Sequence, residues 1–220
     1  MYKFDTHVHT AEVSACAGLA AAEVARLYKK AGYGGICITD HYVREYFERH
    51  SGSWEQKVRA FTHGFDNARL EGERFGLTVV LGMELRLDGS ANDYLAFGVT
   101  KEFLLANPRL YSLKLREVKE LLSENRLLLF QAHPFRPWMT RADGSLLDGA
   151  EVFNGHPFHE SRNHKALAFA QKNNLMMLAG SDCHETTGVG TSGILTETLP
   201  GTSAELAELI RSGKYSLITP

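Results

Sequence analysis

The feature that most constrains this chain is a repeated unit: a short apolar run ends in polar residues, and an amphipathic stretch follows. Such short apolar runs are typical of strands in a mostly parallel sheet covered by helices. We predict strands at 1–9, 35–41, 78–85, 92–99, 127–134, 149–155, 175–184 and 215–219. We predict helices at 18–31, 54–75, about 112–125, about 160–173 and about 203–212.

This alternation indicates an α/β fold, either a barrel or a doubly wound sheet. The barrel fits better because polar residues end most of the strands. In a barrel, the carboxyl ends of all strands converge on one mouth, whereas the opposite edges of an open sheet could not share one site. At 220 residues, we expect a single domain covering 1–220.

Composition excludes several classes of protein. The formal net charge is −2, so no basic excess indicates a dedicated nucleic-acid surface, and we expect no stable nucleic-acid partner. Three cysteines argue against a disulfide framework and suit a reducing compartment. The start MYKFDTHVHT lacks a signal-peptide core, and no apolar run approaches the roughly 18 residues of a membrane span. We therefore predict a soluble cytoplasmic protein with no membrane partner.

The polar residues at the strand ends share one kind of chemistry. They are His7, His9, Asp40, His41, Glu84, His133, Asp182 and His184. In FDTHVHT, period-two alternation also predicts that Asp5 leaves the same strand face as His7 and His9. One histidine at a strand end is usually an ordinary polar residue. Imidazole or carboxylate groups at five strand ends of this kind instead indicate a metal site.

Mixed nitrogen and oxygen ligands suit zinc, manganese or iron. All of the strand-end residues except Asp40 are good ligands, which is too many for one tetrahedral ion. A carboxylate can bridge two ions about 3.5–4 Å apart, and bound water becomes a hydroxide nucleophile near neutral pH. The pattern therefore indicates a multinuclear hydrolase that needs no serine or cysteine nucleophile.

The segments FDTHVHT, ITDHY, GMEL, QAHPF, EVFNG and GSDCH resemble, in order, the motifs of the polymerase-and-histidinol-phosphatase (PHP) superfamily. The resemblance spans about residues 4–190. It implies a distorted (β/α)7 TIM-like barrel with two or three divalent ions at the carboxyl ends of the strands. It also implies hydrolysis of phosphate esters.

When the family's motifs are matched to this sequence, the resemblance implies three ligand sets. One ion would be held by His7, His9, Glu84 and Asp182. Glu84 would bridge to a second ion, which His133 also binds, and a third ion would be held by His41 and His184. Glu84 and Asp182 would thus be catalytic. Asp5 and Asp40 would orient neighbouring imidazoles through the other ring nitrogen.

The chain departs from the family pattern in two places. After the first motif, AEVSACAG offers only Glu12, Ser14 and Cys16 where a histidine or acidic residue is expected. No histidine lies between His63 and His133, and Asp93 is either the substitute ligand or a plain turn residue.

Four residues are candidates for contacting substrate: Arg44, Arg136, Asn154 and His156. Arg136 follows a predicted ligand and could clamp a phosphate as a catalytic group, or it could be a solvated loop arginine. His156 could face the site or could be a loop histidine.

We predict a metal-dependent phosphoesterase acting on a small phosphorylated substrate, such as a nucleotide, a sugar phosphate or histidinol phosphate. Three alternatives stay open: an amidohydrolase, an exonuclease acting on short substrates, and a non-catalytic metal-binding PHP domain. No predicted strand end carries a lysine that could be carboxylated, as many amidohydrolases require. The oligomeric state is left open.

Overall fold

The computed structural model describes residues 1–219. Its strands are β1 (Tyr2–Val8), β2 (Tyr33–Ile38), β3 (His41–Tyr42), β4 (Thr78–Leu81), β5 (Met83–Arg86), β6 (Asp93–Phe97), β7 (Leu128–Gln131), β8 (Gly149–Asn154), β9 (Met176–Gly180), β10 (Gly193–Thr196) and β11 (Tyr215–Ile218). Its α-helices are α1 (Ala21–Lys30), α2 (Arg44–Arg49), α3 (Trp54–Phe61), α4 (His63–Phe75), α5 (Lys101–Ala106), α6 (Leu115–Glu124), α7 (Asn163–Lys172) and α8 (Ser203–Ser212). The predicted α/β class is confirmed.

Two predicted elements are each divided. The helix expected at 54–75 is α3 and α4, which meet at Thr62. The strand expected at 78–85 is β4 and β5, separated by Gly82. A Cβ atom at Gly82 would lie 2.7 Å from the Cys37 sulfur and 3.1 Å from the Ala96 carbonyl oxygen. Only glycine therefore fits this crossing of strands.

The strands form two mixed sheets, and the predicted closed barrel is not confirmed. One sheet has the order β11-β10-β1-β2-β4, and the other has the order β3-β5-β6-β7-β8-β9. The pairs β1–β10, β10–β11, β5–β6 and β6–β7 are antiparallel. The expectation of a mostly parallel sheet therefore holds only in part.

The two sheets meet along β1 and β9. The Thr6 hydroxyl donates a hydrogen bond to the Ala179 carbonyl (3.0 Å), and the His9 N–H donates to the Cys183 carbonyl (3.1 Å). A Cβ atom at Gly180 would lie only 2.5 Å from that of His7, so glycine permits this close approach. The carboxyl ends of β1 and β9 are thereby held side by side.

Apolar side chains fill the space between and around the sheets. Phe4, Leu95, Phe97 and Phe130 are fully buried in one cluster, against which α8 packs Ile210. Within residues 1–219, none of the helices combines the length and apolar character needed to cross a membrane. The cytoplasmic location stays a prediction.

Candidate metal centre

Five strand ends meet on one side of the sheets, and their side chains lie close to one another. The structure brings together all seven predicted ligands: His7, His9, His41, Glu84, His133, Asp182 and His184. Of these, only His41 and His184 are more than 2% exposed. Buried charges require partners that compensate for lost hydration, so the cluster is stable only with ions or protons among its members.

Glu84 lies at the middle of the cluster. Its Oε1 atom is 3.0 Å from His133 Nε2 and 3.4 Å from His7 Nε2. Its Oε2 atom is 2.9 Å from His41 Nδ1 and 3.4 Å from His9 Nε2. The two carboxylate oxygens therefore face two different sets of imidazoles, as a bridging carboxylate requires.

His7 and His9 converge on Asp182. Their Nε2 atoms are 3.0 Å apart, and each lies within 3.4 Å of Asp182 Oδ1. Three ligand atoms at this spacing suit one ion, because ligands about 2.0–2.2 Å from zinc lie roughly 3–3.5 Å from each other.

The donor set fits divalent ions because several of its atoms are buried without a hydrogen bond. Among the described residues, Glu84 Oε2, Asp182 Oδ1, His41 Nδ1 and His133 Nδ1 lack a partner in hydrogen-bonding geometry. His41 Nδ1 and Glu84 Oε2 are close, but they do not point along a hydrogen-bond direction. Unsatisfied buried polar atoms are rare and need an explanation. Of these four atoms, Glu84 Oε2 and His41 Nδ1 lie 2.9 Å apart, and Asp182 Oδ1 lies 3.2 Å from His9 Nε2.

Electrostatics divide the cluster into charged and neutral groups. Burial alone would raise the pKa of Glu84. The electrostatic attraction of nearby His7 and His41 has the larger combined effect and holds this pKa well below its usual range. Burial, together with repulsion from His184 and His41, places the pKa of His9 well below that of free imidazole. Neutral imidazole is the form that binds a metal.

Glu151 is a central residue that the sequence analysis missed. His7 Nδ1 donates to its Oε1 (2.9 Å), which leaves His7 Nε2 free to bind an ion. Its Oε2 accepts from the His133 backbone N–H and from Asn154 Nδ2, both at 2.9 Å. The only signal in the sequence is a carboxylate within the apolar strand segment of EVFNG.

Ser14 connects Asp40 to the imidazoles. Its hydroxyl donates to Asp40 Oδ1 (2.7 Å) and accepts from His9 Nδ1 (3.0 Å) and from the His41 backbone N–H (3.1 Å). Asp40 Oδ1 lies 4.0 Å from His9 Nδ1 and acts on this nitrogen through Ser14, which is consistent with the predicted orienting role.

The predicted role of Asp5 is wrong. Its carboxylate accepts from the backbone N–H groups of His7 and Ser181 (3.1 Å each) and from the Tyr28 hydroxyl (2.8 Å). No imidazole contacts it among the described hydrogen bonds. The register of β1 shifts between Asp5 and Val8, so regular alternation fails there and Asp5 faces α1.

Two further predictions are corrected. Both oxygens of Asp93 accept hydrogen bonds from Arg86, at 2.7 and 2.8 Å, so Asp93 serves as an ion-pair partner. Arg44 pairs with Asp88 and Glu48 and lines a different cavity, so it does not face the cluster.

Arg136, Asn154 and His156 do lie at the cluster. Arg136 Nη2 donates to Asn154 Oδ1 (2.9 Å) and forms an ion pair with Asp182. Arg136 Nε is buried without a partner among residues 1–219. Burial and the neighbouring Arg136, only partly offset by Asp182, lower the pKa of His156 to about 4. His156 is therefore neutral at pH 7.

The backbone is unusual at two of the clustered residues. His133 has φ of 29° and Asp182 has φ of 53°, which is the left-handed region. Such residues cluster at functional sites, where the surrounding structure holds them.

A cavity of about 350 Å³ opens above the cluster, a size that suits a small ligand. Its lining includes Cys16, Arg136, Trp138, His156, Phe158 and His159.

Comparison with known proteins places this fold among known structures. A Bacteroides vulgatus two-domain protein containing a predicted PHP-like metal-dependent phosphoesterase aligns with a TM-score of 0.68 at 16% identity, over 99% of this chain and 64% of the other. This chain thus spans less than two thirds of that protein. PsfC from Pseudomonas syringae aligns with a TM-score of 0.70 at 20% identity, over 100% and 91%. An amidohydrolase from Chromobacterium violaceum, with bound sulfate and no metal, aligns with a TM-score of 0.63 at 16% identity, over 99% and 98%.

The profile of a family described as PHP-associated matches residues 160–215, which include Asp182 and His184. No curated protein matches the sequence. Fold and site together define a protein built around a candidate metal centre at the ends of its strands. The match over residues 160–215 and the fold shared with the Bacteroides protein agree with the resemblance to the PHP superfamily that the motifs indicated.

Proposed function

We propose that this protein is a metal-dependent phosphoesterase that hydrolyses a small phosphomonoester. The observation that carries the proposal is the convergence of buried imidazoles on the two oxygens of Glu84 and on Asp182. The name of the Bacteroides neighbour, PHP-like metal-dependent phosphoesterase, supports the same reaction class.

We assign the ions to the residues by motif. His7, His9, Glu84 and Asp182 would hold one ion, Glu84 and His133 a second, and His41 with His184 a third. Bound divalent ions supply Lewis acidity and make water acidic enough to attack near neutral pH. Their identity, zinc, manganese or iron, and their number, two or three, remain part of the proposal.

Residues of the chain would position the substrate. Arg136 has a buried Nε–H without a partner among the described residues, and its guanidinium lies at the cavity, so it can donate to a phosphate oxygen. Asn154 holds this guanidinium in place through its Oδ1 atom. The Nδ1 atom of neutral His156 accepts the Phe158 N–H (3.2 Å), so its Nε2–H at the cavity wall can donate a hydrogen bond to a substrate oxygen.

An amidohydrolase is the second candidate, because the Chromobacterium violaceum neighbour carries that name. The sulfate bound in that structure is a tetrahedral oxyanion like phosphate. The cavity's size supports a small substrate in either case.

A panel of phosphomonoesters, tested with manganese and with zinc separately, decides between the candidates when a matched panel of amides is run beside it. We expect phosphate release by the wild type and a loss of more than about 100-fold in Glu84→Gln, because the neutral amide cannot bridge ions. Glu124→Gln, on the exposed face of α6, is the control.

Three outcomes would count against the proposal. Hydrolysis of amides alone would favour the amidohydrolase. Metal-loaded wild type that hydrolyses neither panel would favour a non-catalytic domain. Full activity in Glu84→Gln would refute the bridging role.

A further inference from the structure

Cys16 lies where the motif pattern lacks an expected ligand, and the structure places its thiol beside two of the proposed ligands. Cys16 Sγ is 3.1 Å from His184 Nε2 and also contacts the His41 side chain. The His184 Nδ1–H donates to the Asp182 carbonyl oxygen (2.9 Å), so the lone pair of its Nε2 atom points towards the sulfur.

A second observation points to an ion at this place. His9, His41 and His184 each offer a nitrogen, and the three nitrogens lie within 4.8 Å of one another. The side chain of Glu84, which is 1% exposed, lies beside them. Its Oε2 atom has no hydrogen-bond donor among the described residues. Sulfur and nitrogen bound to one zinc ion, at about 2.3 and 2.0 Å, lie roughly 3.5 Å apart, near the observed 3.1 Å.

We propose that the Cys16 thiolate is a ligand of the third ion, together with His41 and His184, and that it makes this site selective for zinc over manganese. Thiolate is a soft ligand, which zinc and cobalt bind well and manganese binds poorly. Ion binding releases the thiol proton to water. The inference rests on the proposed function, because it concerns the same metal centre.

Cobalt substitution tests this ligand directly. In the cobalt-loaded wild type, we expect a near-ultraviolet sulfur-to-cobalt charge-transfer band, which is lost in Cys16→Ala and Cys16→Ser. Cys37→Ala is the control, because the Cys37 thiol is buried in β2 outside the cluster. The cobalt-loaded Cys37→Ala variant should show the same band as the wild type. Zinc affinity of the weakest site should fall at least about tenfold in Cys16→Ser, while manganese affinity stays within about twofold.

Alkylation of the wild type gives a second readout that needs no variant. Bound zinc should protect Cys16 from iodoacetamide, whereas manganese should not. A loaded wild type without the band, or a band that survives in Cys16→Ala, would overturn the inference and leave a plain thiol–imidazole hydrogen bond. The experiment distinguishes failure of this inference from failure of the proposed function. A cobalt-loaded protein that shows the band but no hydrolysis refutes the proposed function alone. Hydrolysis without the band refutes the role of Cys16 as a ligand alone.

Discussion

At the scale of single residues, the groups around the candidate ligands are as specific as the ligands themselves. Glu151 fixes which nitrogen His7 presents, and Ser14 does the same for His9. Each makes several hydrogen bonds at once. A change in either one should therefore alter metal binding without removing any ligand.

Glu151→Gln should weaken metal binding about 10–100-fold. The carboxylate accepts on both oxygens, from His7 on one side and from His133 and Asn154 on the other. An amide has one acceptor, so one side must lose its bond. Competition with a coloured chelator measures the change, with Glu124→Gln as the control. Unchanged affinity in Glu151→Gln would remove Glu151 from the metal centre.

Asp5 should make the metal-free protein less stable as pH rises from about 4 to about 6. Burial, only partly offset by bonds from Ser181, His7 and Tyr28, raises the pKa of Asp5 to about 6 from 3.8. The folded state therefore binds the proton more tightly than the unfolded chain, and loses roughly 3 kcal/mol of relative stability across this window.

The variant Asp5→Asn cannot ionise, so its unfolding free energy should lack this decline, even if it is lower overall. Denaturant unfolding at pH 4, 5 and 6 in the presence of a chelator gives the comparison. Parallel pH profiles for the wild type and Asp5→Asn would contradict the assignment.

At the scale of elements, the contact between β1 and β9 positions the centre. Gly180 in β9 allows His7 in β1 to approach, and Asp182 and His184 follow directly after β9. His9 likewise follows β1, so the geometry of four proposed ligands depends on one strand contact.

Gly180→Ala should disturb this contact. The added Cβ would lie 2.5 Å from His7 Cβ and 2.9 Å from Glu151 Oε1, so β1 and β9 must move apart. We expect a loss of about 1–3 kcal/mol in stability and weaker metal binding. Gly201→Ala is the control, because its Cβ meets only the tip of Glu205 at 3.3 Å. Normal metal affinity in Gly180→Ala would contradict the conclusion that the contact between β1 and β9 positions the metal centre.

Some features of these elements could be predicted from the sequence, and others could not. The strand-end residues were predictable because ligand chemistry repeats after successive apolar runs. Strand directions were not: β5 and β6 are joined by residues 87–92, too short for a crossover, so they pair antiparallel. In contrast, β6 and β7 are antiparallel although α5 and α6 lie between them. Glu151 and the displaced Asp5 depend on neighbours distant in sequence, which periodicity does not reveal.

At the scale of the whole molecule, the candidate centre joins the two sheets. His7 belongs to the five-stranded sheet, whereas Glu84 and Glu151 belong to the six-stranded one. Ions bound here would connect the sheets in addition to their hydrogen bonds. Metal binding should therefore stabilise the fold as a whole.

Added zinc or manganese should raise the midpoint of thermal unfolding, and a chelator should lower it again. An ion at 100 times its dissociation constant contributes about 2.7 kcal/mol, or roughly 5–10 °C for a chain of this size. Differential scanning calorimetry measures the shift, and Glu84→Gln should show a smaller one. An unchanged midpoint in the wild type would mean that the folded state does not bind these ions preferentially.

The left-handed backbone at His133 and Asp182 has a consequence for how this protein could be engineered. A side chain in that conformation costs about 1–2 kcal/mol relative to glycine, whether or not an ion is present. Glycine at either position would relieve this strain but would remove a proposed ligand. Selection for the stability of the metal-free protein would therefore act against the centre, and a stabilised metal-free form of this protein has to gain its stability elsewhere.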